Sequence, residues 1–223
     1  MSMIGAVLFD LYETLITESG LRPTRASSLA TVLGLDDEAY RVEWKKRRPS
    51  VVRGELSLVD ALAGISRSLA GRADIAAIDG IRQRRIREKA AAFARVDADV
   101  AVLVAALADR GIRLGVVSNG FEEDLRGWWQ CSLAPQFDCT VFSYVEGIAK
   151  PDPEMYLRAA RRLGVDPNVA AYIGNGADNE LLGAEQAGLR AGRAAWFVAQ
   201  APQAGTCAEL TTSEDVLAFL RAG

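Results

Sequence analysis

The sequence predicts an α/β fold in which helices cover both faces of a parallel sheet and a helical segment is inserted after the first strand. Three observations carry this prediction. A short apolar run over residues 4–9 ends at an acid. Residues 22–95 show helical apolar stripes and contain no convincing strand. After about residue 97, apolar runs and helical patterns alternate, which is typical of a parallel sheet.

The individual elements follow from local signals. Apolar runs that end at polar or glycine-rich turns predict four further strands, at 112–117, 139–143, 170–173 and 193–198. Helices are expected between them, over 99–109, 121–131 and 178–187. Asp152 and Pro153 form an N-cap and a first helical position, and Ser213 caps a last helix. Gly188 ends the helix before the fifth strand.

Composition narrows the range of functions. The chain has no histidine, which excludes Ser-His-Asp triads, His-ligated zinc and an imidazole base. A net charge of -3 argues against a dedicated nucleic-acid binder. No run approaches about 18 apolar residues, so no membrane span is predicted. The three cysteines lack a CxxC spacing and the first residues lack a signal-like stretch, so we expect a cytoplasmic protein.

Charge is distributed unevenly along the chain. Basic residues outnumber acidic ones between residues 15 and 95, whereas acidic residues predominate elsewhere. A basic segment over an acidic core would steer an anionic small molecule towards a cleft, although solvated helix faces would give the same pattern. We expect a small anionic substrate as the partner, and a homodimer stays open.

Polar residues follow four of the predicted strands, where the carboxyl ends of a parallel sheet form a ligand-binding edge. They are Asp10 and Thr14 after the first strand, Ser118 and Asn119 after the second, Lys150 after the third, and Asn175, Asp178 and Glu180 after the fourth. A nucleophilic carboxylate needs a nearby cation, and Lys150 suits that role. Hydroxyls, amides and glycine-turn N–H groups can bind oxyanions.

Four segments resemble the motifs of the haloacid dehalogenase-like (HAD) hydrolase superfamily, in the same order. They are Phe9 to Leu15, Val116 to Gly120, Lys150 to Tyr156, and Ile173 to Gly188. The resemblance implies a Rossmann-like α/β core at 1–16 and 96–223, with a helical cap at 17–95. It also implies that Asp10 attacks the substrate to form a covalent aspartyl intermediate, which water then hydrolyses.

Two departures concern the phosphatases of this superfamily. They carry a second aspartate two residues after the nucleophile as general acid and base, where this chain has Tyr12, whose phenol has an ordinary pKa near 10. They also hold Mg²⁺ with an acid where this chain has Asn175, and an amide is a weaker Mg²⁺ ligand. If Mg²⁺ were used, Asp10 and Asn175 would be its ligands. No cofactor is favoured.

The 2-haloacid dehalogenases of the superfamily have a tyrosine at the position of Tyr12 and use no metal. Halide leaves as a stable anion, so no general acid is needed. By resemblance, Arg41 and Asn119 would receive the leaving anion, and Tyr156 would match a substrate-site tyrosine. The match is incomplete, because Glu13 replaces a glycine.

The fourth motif leaves more than one role open. Asp178 or Glu180 could pair with Lys150, orient a water or bind a metal, or be a first-turn helix acid. The preferred hypothesis is a metal-independent, dehalogenase-like hydrolase of a small 2-substituted carboxylate, in which Lys150 and Ser118 bind charge. The alternatives are a Mg²⁺-dependent phosphatase with a degraded site and a catalytically silent binding protein.

Overall fold

The computed structural model describes residues 4–20, 26–197 and 207–221. Six parallel strands form one sheet, in the order β3-β2-β1-β4-β5-β6. The strands are β1 (Ala6–Phe9), β2 (Arg113–Ser118), β3 (Cys139–Phe142), β4 (Ala170–Gly174), β5 (Arg190–Ala194) and β6 (Ala208–Leu210). Because β1 lies between β2 and β4, the chain reverses its direction of growth there, and the carboxyl end of β1 opens into a crevice.

Ten α-helices occur in the described residues, and five of them lie between β1 and β2. The first four form the insertion and are α1 (Ala26–Val32), α2 (Asp37–Val52), α3 (Leu58–Ala70) and α4 (Ile75–Phe93). The others are α5 (Ala98–Ala108), α6 (Glu122–Leu125), α7 (Ser143–Glu146), α8 (Pro153–Leu163), α9 (Glu180–Gln186) and α10 (Ser213–Arg221). No helix in this part of the chain is long and apolar enough to cross a membrane.

The sheet is buried on both faces, as its continuous apolar strands require. Successive β1 side chains alternate, so that Val7 and Phe9 pack in one apolar cluster while Ala6 and Leu8 pack in another. The inserted helices have a third apolar cluster of their own, which Phe121 from the segment after β2 joins. The insertion therefore contributes a separate core and contacts the edge of the sheet.

The predicted α/β fold is confirmed, and its boundaries need correction in three places. The strand predicted at 193–198 is β5, which runs earlier, from Arg190 to Ala194. It ends there because Trp196 and Phe197 leave the sheet and pack on the first apolar cluster, and residue 198 lies outside the described residues. The helix expected over 121–131 is α6 followed by a 3-10 turn, Arg126–Gln130. The helix expected from 178 begins at Glu180.

The late start of α9 has a backbone cause. Asp178 and Asn179 have φ of 53° and 54°, a left-handed conformation that no α-helix accommodates. The sequence pattern does not predict β6, because a strand of three residues is too short to show a periodicity. The proposed division at 17–95 stays a prediction, and its residues 21–25 lie outside the described residues, as do the ends of the predicted core at 1–3 and 222–223.

Candidate active site

Asp10 directly follows β1 and lies at the crevice beyond the carboxyl end of that strand. Its backbone N–H donates to the carbonyl of Ile173 at 2.9 Å, so the pairing of β1 with β4 continues to this residue. The residue is only 6% exposed. A carboxylate is therefore held at the end of a central strand by main-chain hydrogen bonds rather than by a mobile loop.

The ammonium of Lys150 joins three groups into what we call the Lys150 cluster: Asp10, Lys150, Tyr172 and Glu180. Lys150 Nζ lies 2.5 Å from Asp10 Oδ1, 2.5 Å from Glu180 Oε2 and 3.1 Å from Tyr172 Oη. An ammonium has three N–H donors. All three donors of Lys150 are thus used within the protein.

The Lys150 cluster holds two carboxylates and one ammonium in a buried volume. Burial raises the pKa of Asp10 to about 7, the charge of Glu180 adds to this, and Lys150 opposes it. Burial opposes the charge of Lys150, but the two carboxylates outweigh it and raise the pKa of Lys150 above its usual value. Lys150 therefore stays protonated, while Asp10 loses its proton near neutral pH.

Glu180 is completely buried and is held from several sides. Its Oε1 accepts from the backbone N–H of Gly176 at 2.9 Å, and its Oε2 accepts from Tyr172 Oη at 2.6 Å. Tyr156 Oη donates to its backbone carbonyl at 2.7 Å. A Cβ at Gly174 would collide with the Glu180 carboxylate, so this turn requires glycine. Of the roles left open for the fourth motif, Glu180 pairs with Lys150.

Tyr12 does not present its hydroxyl proton to the crevice. Tyr12 Oη donates to the backbone carbonyl of Asp124 at 2.5 Å, and its ring packs against Phe93. Burial, together with the negative charges of Asp124 and Glu18, raises the pKa of the phenol well above its usual value. Tyr12 therefore keeps its proton.

Asn175 joins the first and fourth strand-end loops. Its Nδ2 donates to the carbonyl of Tyr12 at 3.1 Å, and its Oδ1 accepts from the N–H of Ala177 at 2.8 Å. These two partners fix the orientation of the amide, because the flipped amide would oppose like groups.

The donor set around Asn175 does not fit Mg²⁺. Mg²⁺ requires oxygen ligands, yet Asn175 turns a nitrogen towards Tyr12, and Asp10 Oδ1 already faces an ammonium. Within the described ranges, no group of three or more Cys, Asp or Glu residues is arranged to hold a metal ion. In the orientation set by its hydrogen bonds, Asn175 does not offer its amide oxygen to a Mg²⁺ ion shared with Asp10, and the pair of Asp10 and Asn175 as metal ligands stays a prediction.

Asn119 ties the second strand end to the loop of Lys150. Its Oδ1 accepts from the N–H of Lys150 at 2.8 Å, while its Nδ2 lies 3.0 Å from both the Lys150 carbonyl and Asp178 Oδ2. Ser118 is buried, and its hydroxyl makes a long contact of 3.4 Å with the Asn119 carbonyl. The hydroxyl of Thr14 is buried without a partner in the described part of the chain.

Two cavities lie beside these residues, between α2 and the strand ends. The first, of about 220 Å³, has an apolar wall of Leu29, Trp44, Val52 and Phe121 and polar sides of Arg48, Arg85, Asn119, Asp124 and Asp178. The second, of about 480 Å³, shares Arg48, Asn119 and Asp178 with it and reaches Lys150. A small molecule in these cavities would touch both the insertion and the strand-end loops.

One face of α4 is tied by ion pairs to the segments that follow β1 and β2, and we call these contacts the α4 seam. Arg85 binds Asp124 with two hydrogen bonds, of 2.5 Å and 2.8 Å. The other two pairs are Arg82 with Glu123 at 3.1 Å and Lys89 with Glu18 at 2.7 Å. The seam closes one side of the first cavity.

The family follows from comparison with known proteins. The model of the haloacid dehalogenase-like hydrolases matches residues 4–188, which is most of the chain. The chain belongs to the haloacid dehalogenase-like hydrolase family. The resemblance of its four strand-end motifs to this superfamily is thereby confirmed.

Similar HAD-like proteins include both phosphatases and dehalogenases. The glyceraldehyde 3-phosphate phosphatase of Methanopyrus kandleri is 28% identical over 202 residues, which span 84% of this chain and 82% of that protein. The phosphoserine phosphatase of Thermus thermophilus is 33% identical over 117 residues, 48% of this chain and 46% of that protein. The 2-haloacid dehalogenase structure from Pseudomonas syringae pv. Tomato gives a TM-score of 0.72 at 23% identity, covering 98% of this chain and 99% of that one. At this identity the structural likeness concerns the fold alone.

Two expected substrate-site residues of this HAD-like hydrolase lie elsewhere. The side chain of Arg41 is 60% exposed and paired with Asp37, and it lines neither cavity. Tyr156 is completely buried behind Glu180 and supports it instead of facing a cavity. Arg41 lies nearer the start of α2 than the turn that reaches the cavities, and Arg48 occupies that turn.

Glu13 and Asp178 also differ from what their positions suggest. The Glu13 carboxylate accepts from Thr17 Oγ1 at 2.9 Å and from the N–H of Glu18 at 2.8 Å, so local groups satisfy it. Asp178 is exposed and binds Asn119, and its described contacts include no ion pair with Lys150.

Sequence reasoning missed Tyr172 and the α4 seam. A tyrosine in the small, apolar strand β4 is a usable signal, because a buried phenol needs a hydrogen-bond partner. The seam also left a signal. Its basic residues at 82, 85 and 89 recur at helical spacing, and consecutive acids occur at 122–124.

Proposed function

We propose that this HAD-like hydrolase displaces a leaving group from a small carboxylate through Asp10, without a metal ion, as in 2-haloacid dehalogenation. The observation that carries the proposal is the hydrogen bond from Tyr12 Oη to the Asp124 carbonyl. Tyr12 stands where HAD phosphatases carry their general acid, and this hydrogen bond uses its hydroxyl proton, which is then not available to a leaving group. A substrate whose leaving group departs as a stable anion suits such a site.

The chemistry requires two steps. A carboxylate oxygen of Asp10 attacks the carbon that bears the halogen, and the halide leaves with the electron pair of the broken bond. Water then adds to the carboxyl carbon of the resulting ester, the hydroxy acid leaves, one proton is released and the Asp10 carboxylate is restored. Lys150 orients Asp10 and favours its ionised form.

The anionic group of the substrate needs a cation that is still free to bind it. Lys150 has no N–H donor left, and Arg85 is occupied by Asp124. Arg48 lines both cavities and has no ion-pair partner among residues 4–20, 26–197 and 207–221. Arg48 therefore receives the substrate anion, with Asn119 beside it, and Lys150 acts on Asp10 rather than on substrate charge.

The direct test is halide release from 2-chloropropionate in the presence of EDTA. We expect turnover by the unchanged protein and a loss of at least about a thousandfold in Asp10→Asn, because the amide is not a nucleophile. The Asp10→Asn protein keeps an acceptor for Lys150, so its melting curve serves as the control for folding. Absence of halide release from every short 2-haloacid would refute the proposal.

A second candidate is a Mg²⁺-dependent phosphatase. The observation in its favour is the similarity to the Methanopyrus kandleri phosphatase over 84% of this chain. Phosphate release from glyceraldehyde 3-phosphate or phosphoserine that requires Mg²⁺ and Asp10 would establish it. EDTA separates the two candidates, because it should abolish Mg²⁺-dependent phosphate release and leave halide release from 2-chloropropionate unchanged.

A further inference from the structure

Tyr172 is a buried residue whose hydroxyl lies inside the candidate site. It occupies the third position of β4, opposite Leu8 of β1, and its side chain is completely buried. Its hydroxyl donates to Glu180 Oε2 at 2.6 Å and accepts from Lys150 Nζ at 3.1 Å. Because no part of Tyr172 is exposed, it cannot touch a substrate.

The direction of each hydrogen bond in this group is determined by chemistry. An ammonium only donates, so Lys150 gives a proton to Tyr172, and the single hydroxyl proton of Tyr172 must point to Glu180. Lys150, Glu180 and Tyr172 thus form a closed triangle. The triangle uses two of the three N–H donors of Lys150, and the third points to Asp10.

The ring of Tyr172 is fixed as firmly as its hydroxyl. It packs edge-to-face against Tyr156, with ring centroids 5.0 Å apart. Tyr156 in turn binds the backbone of Glu180. The hydroxyl therefore cannot move away from the triangle without disturbing two packed aromatic rings.

We propose that Tyr172 is a positioning residue, which shares the charge of Glu180 with Lys150 and thereby leaves the third N–H of Lys150 directed at Asp10. The inference rests on the proposed function in taking Asp10 as the nucleophile. Without the hydroxyl, Glu180 loses one donor and attracts Lys150 more strongly. Lys150 then withdraws from Asp10, whose ionised form is less favoured.

The test is Tyr172→Phe, which removes one oxygen atom and keeps the ring. We expect kcat for halide release to fall about tenfold with KM little changed, and the acidic limb of the pH profile to move to higher pH. Glu180→Gln removes a negative charge beside Asp10, so it should move the same limb to lower pH. Tyr144→Phe, which lies outside the Lys150 cluster, is the matched control.

A measurement without substrate separates this inference from the proposed function. The Asp10 carboxyl carbon can be titrated by NMR in aspartate-labelled protein, with Asp10→Asn identifying its signal. A higher midpoint in Tyr172→Phe supports the positioning role even if no haloacid is turned over. An unchanged midpoint, or an unchanged pH profile in an active protein, overturns it.

Discussion

The Lys150 cluster and the Arg85–Asp124 pair of the α4 seam are both buried ionic groups, but they differ in whether their positive and negative charges are equal in number. Arg85 meets one carboxylate with two parallel hydrogen bonds, so the charges cancel and the fork geometry is satisfied. Lys150 meets two carboxylates, Asp10 and Glu180, with one hydrogen bond each. One negative charge is therefore left over in the Lys150 cluster.

This difference separates a structural contact from a reactive one. The Arg85–Asp124 pair joins α4 to the segment after β2 and leaves the Asp124 carboxylate fully paired. In the Lys150 cluster, burial and the second carboxylate raise the pKa of Asp10 to about 7. An acid that is poorly stabilised as an anion, yet held at a strand end, retains the reactivity that a nucleophile needs.

The largest difference is expected when the cation is removed from each group. Lys150→Met leaves two buried carboxylates without a counter-charge, so the free energy of unfolding should fall by about 3–5 kcal/mol and activity by at least about a hundredfold. Arg85→Met leaves one carboxylate without its counter-charge instead of two, with an expected loss of about 1–3 kcal/mol. Urea unfolding at pH 8 measures both.

The same unfolding at pH 5 provides the control. Asp10, whose pKa is raised to about 7, holds a proton at pH 5, so part of the loss in Lys150→Met should be relieved there. A loss in Lys150→Met that equals that of Arg85→Met at both pH values would show that charge balance does not distinguish the two groups.

The main residues of the Lys150 cluster can be predicted from the sequence because topology brings them together. The carboxyl ends of neighbouring parallel strands meet at one edge, so the sequence pattern alone identifies Asp10, Lys150 and Glu180 as candidates. Tyr172 escapes that pattern because it lies within a strand, where a side chain is first taken for core packing. Only the tertiary structure shows that its hydroxyl reaches the ammonium.

Arg41 illustrates what sequence cannot supply. Arg41 and Arg48 are seven residues apart, so they lie on nearly the same face of α2 but about 10 Å apart along its axis. The pattern identifies the face, whereas the docking of the insertion on the sheet decides which turn reaches the cavities. That docking depends on contacts distant in sequence, such as those of the α4 seam.

An intermediate effect is expected from pH. The folded protein holds a proton on Asp10 up to about pH 7, whereas the unfolded chain releases it near pH 4, so this group stabilises the fold less as pH rises between these values. Asp10→Asn removes the titration. We therefore expect its stability relative to the unchanged protein to increase by up to a few kcal/mol from about pH 4 to about pH 7.

Urea unfolding of the two proteins across this pH range tests the sign. Asp124→Asn, which removes the carboxylate of the Arg85–Asp124 pair, is measured alongside for comparison. A difference between Asp10→Asn and the unchanged protein that is constant with pH would contradict a raised pKa for Asp10.

The smallest effect concerns two arginines of α2, of which Arg41 has a carboxylate partner and Arg48 has none among the described residues. Arg48→Met removes the uncommitted guanidinium of the cavities, so KM for 2-chloropropionate should rise about tenfold, near 1.4 kcal/mol, with kcat less affected. Arg41→Met breaks an exposed i,i+4 pair with Asp37 and should leave KM unchanged. Steady-state kinetics of the two variants at equal ionic strength make the comparison. If Arg41→Met raised KM and Arg48→Met did not, the absence of a carboxylate partner would not identify the arginine that binds the substrate anion. The argument that Arg85 is unavailable because it is paired with Asp124 would then fail as well.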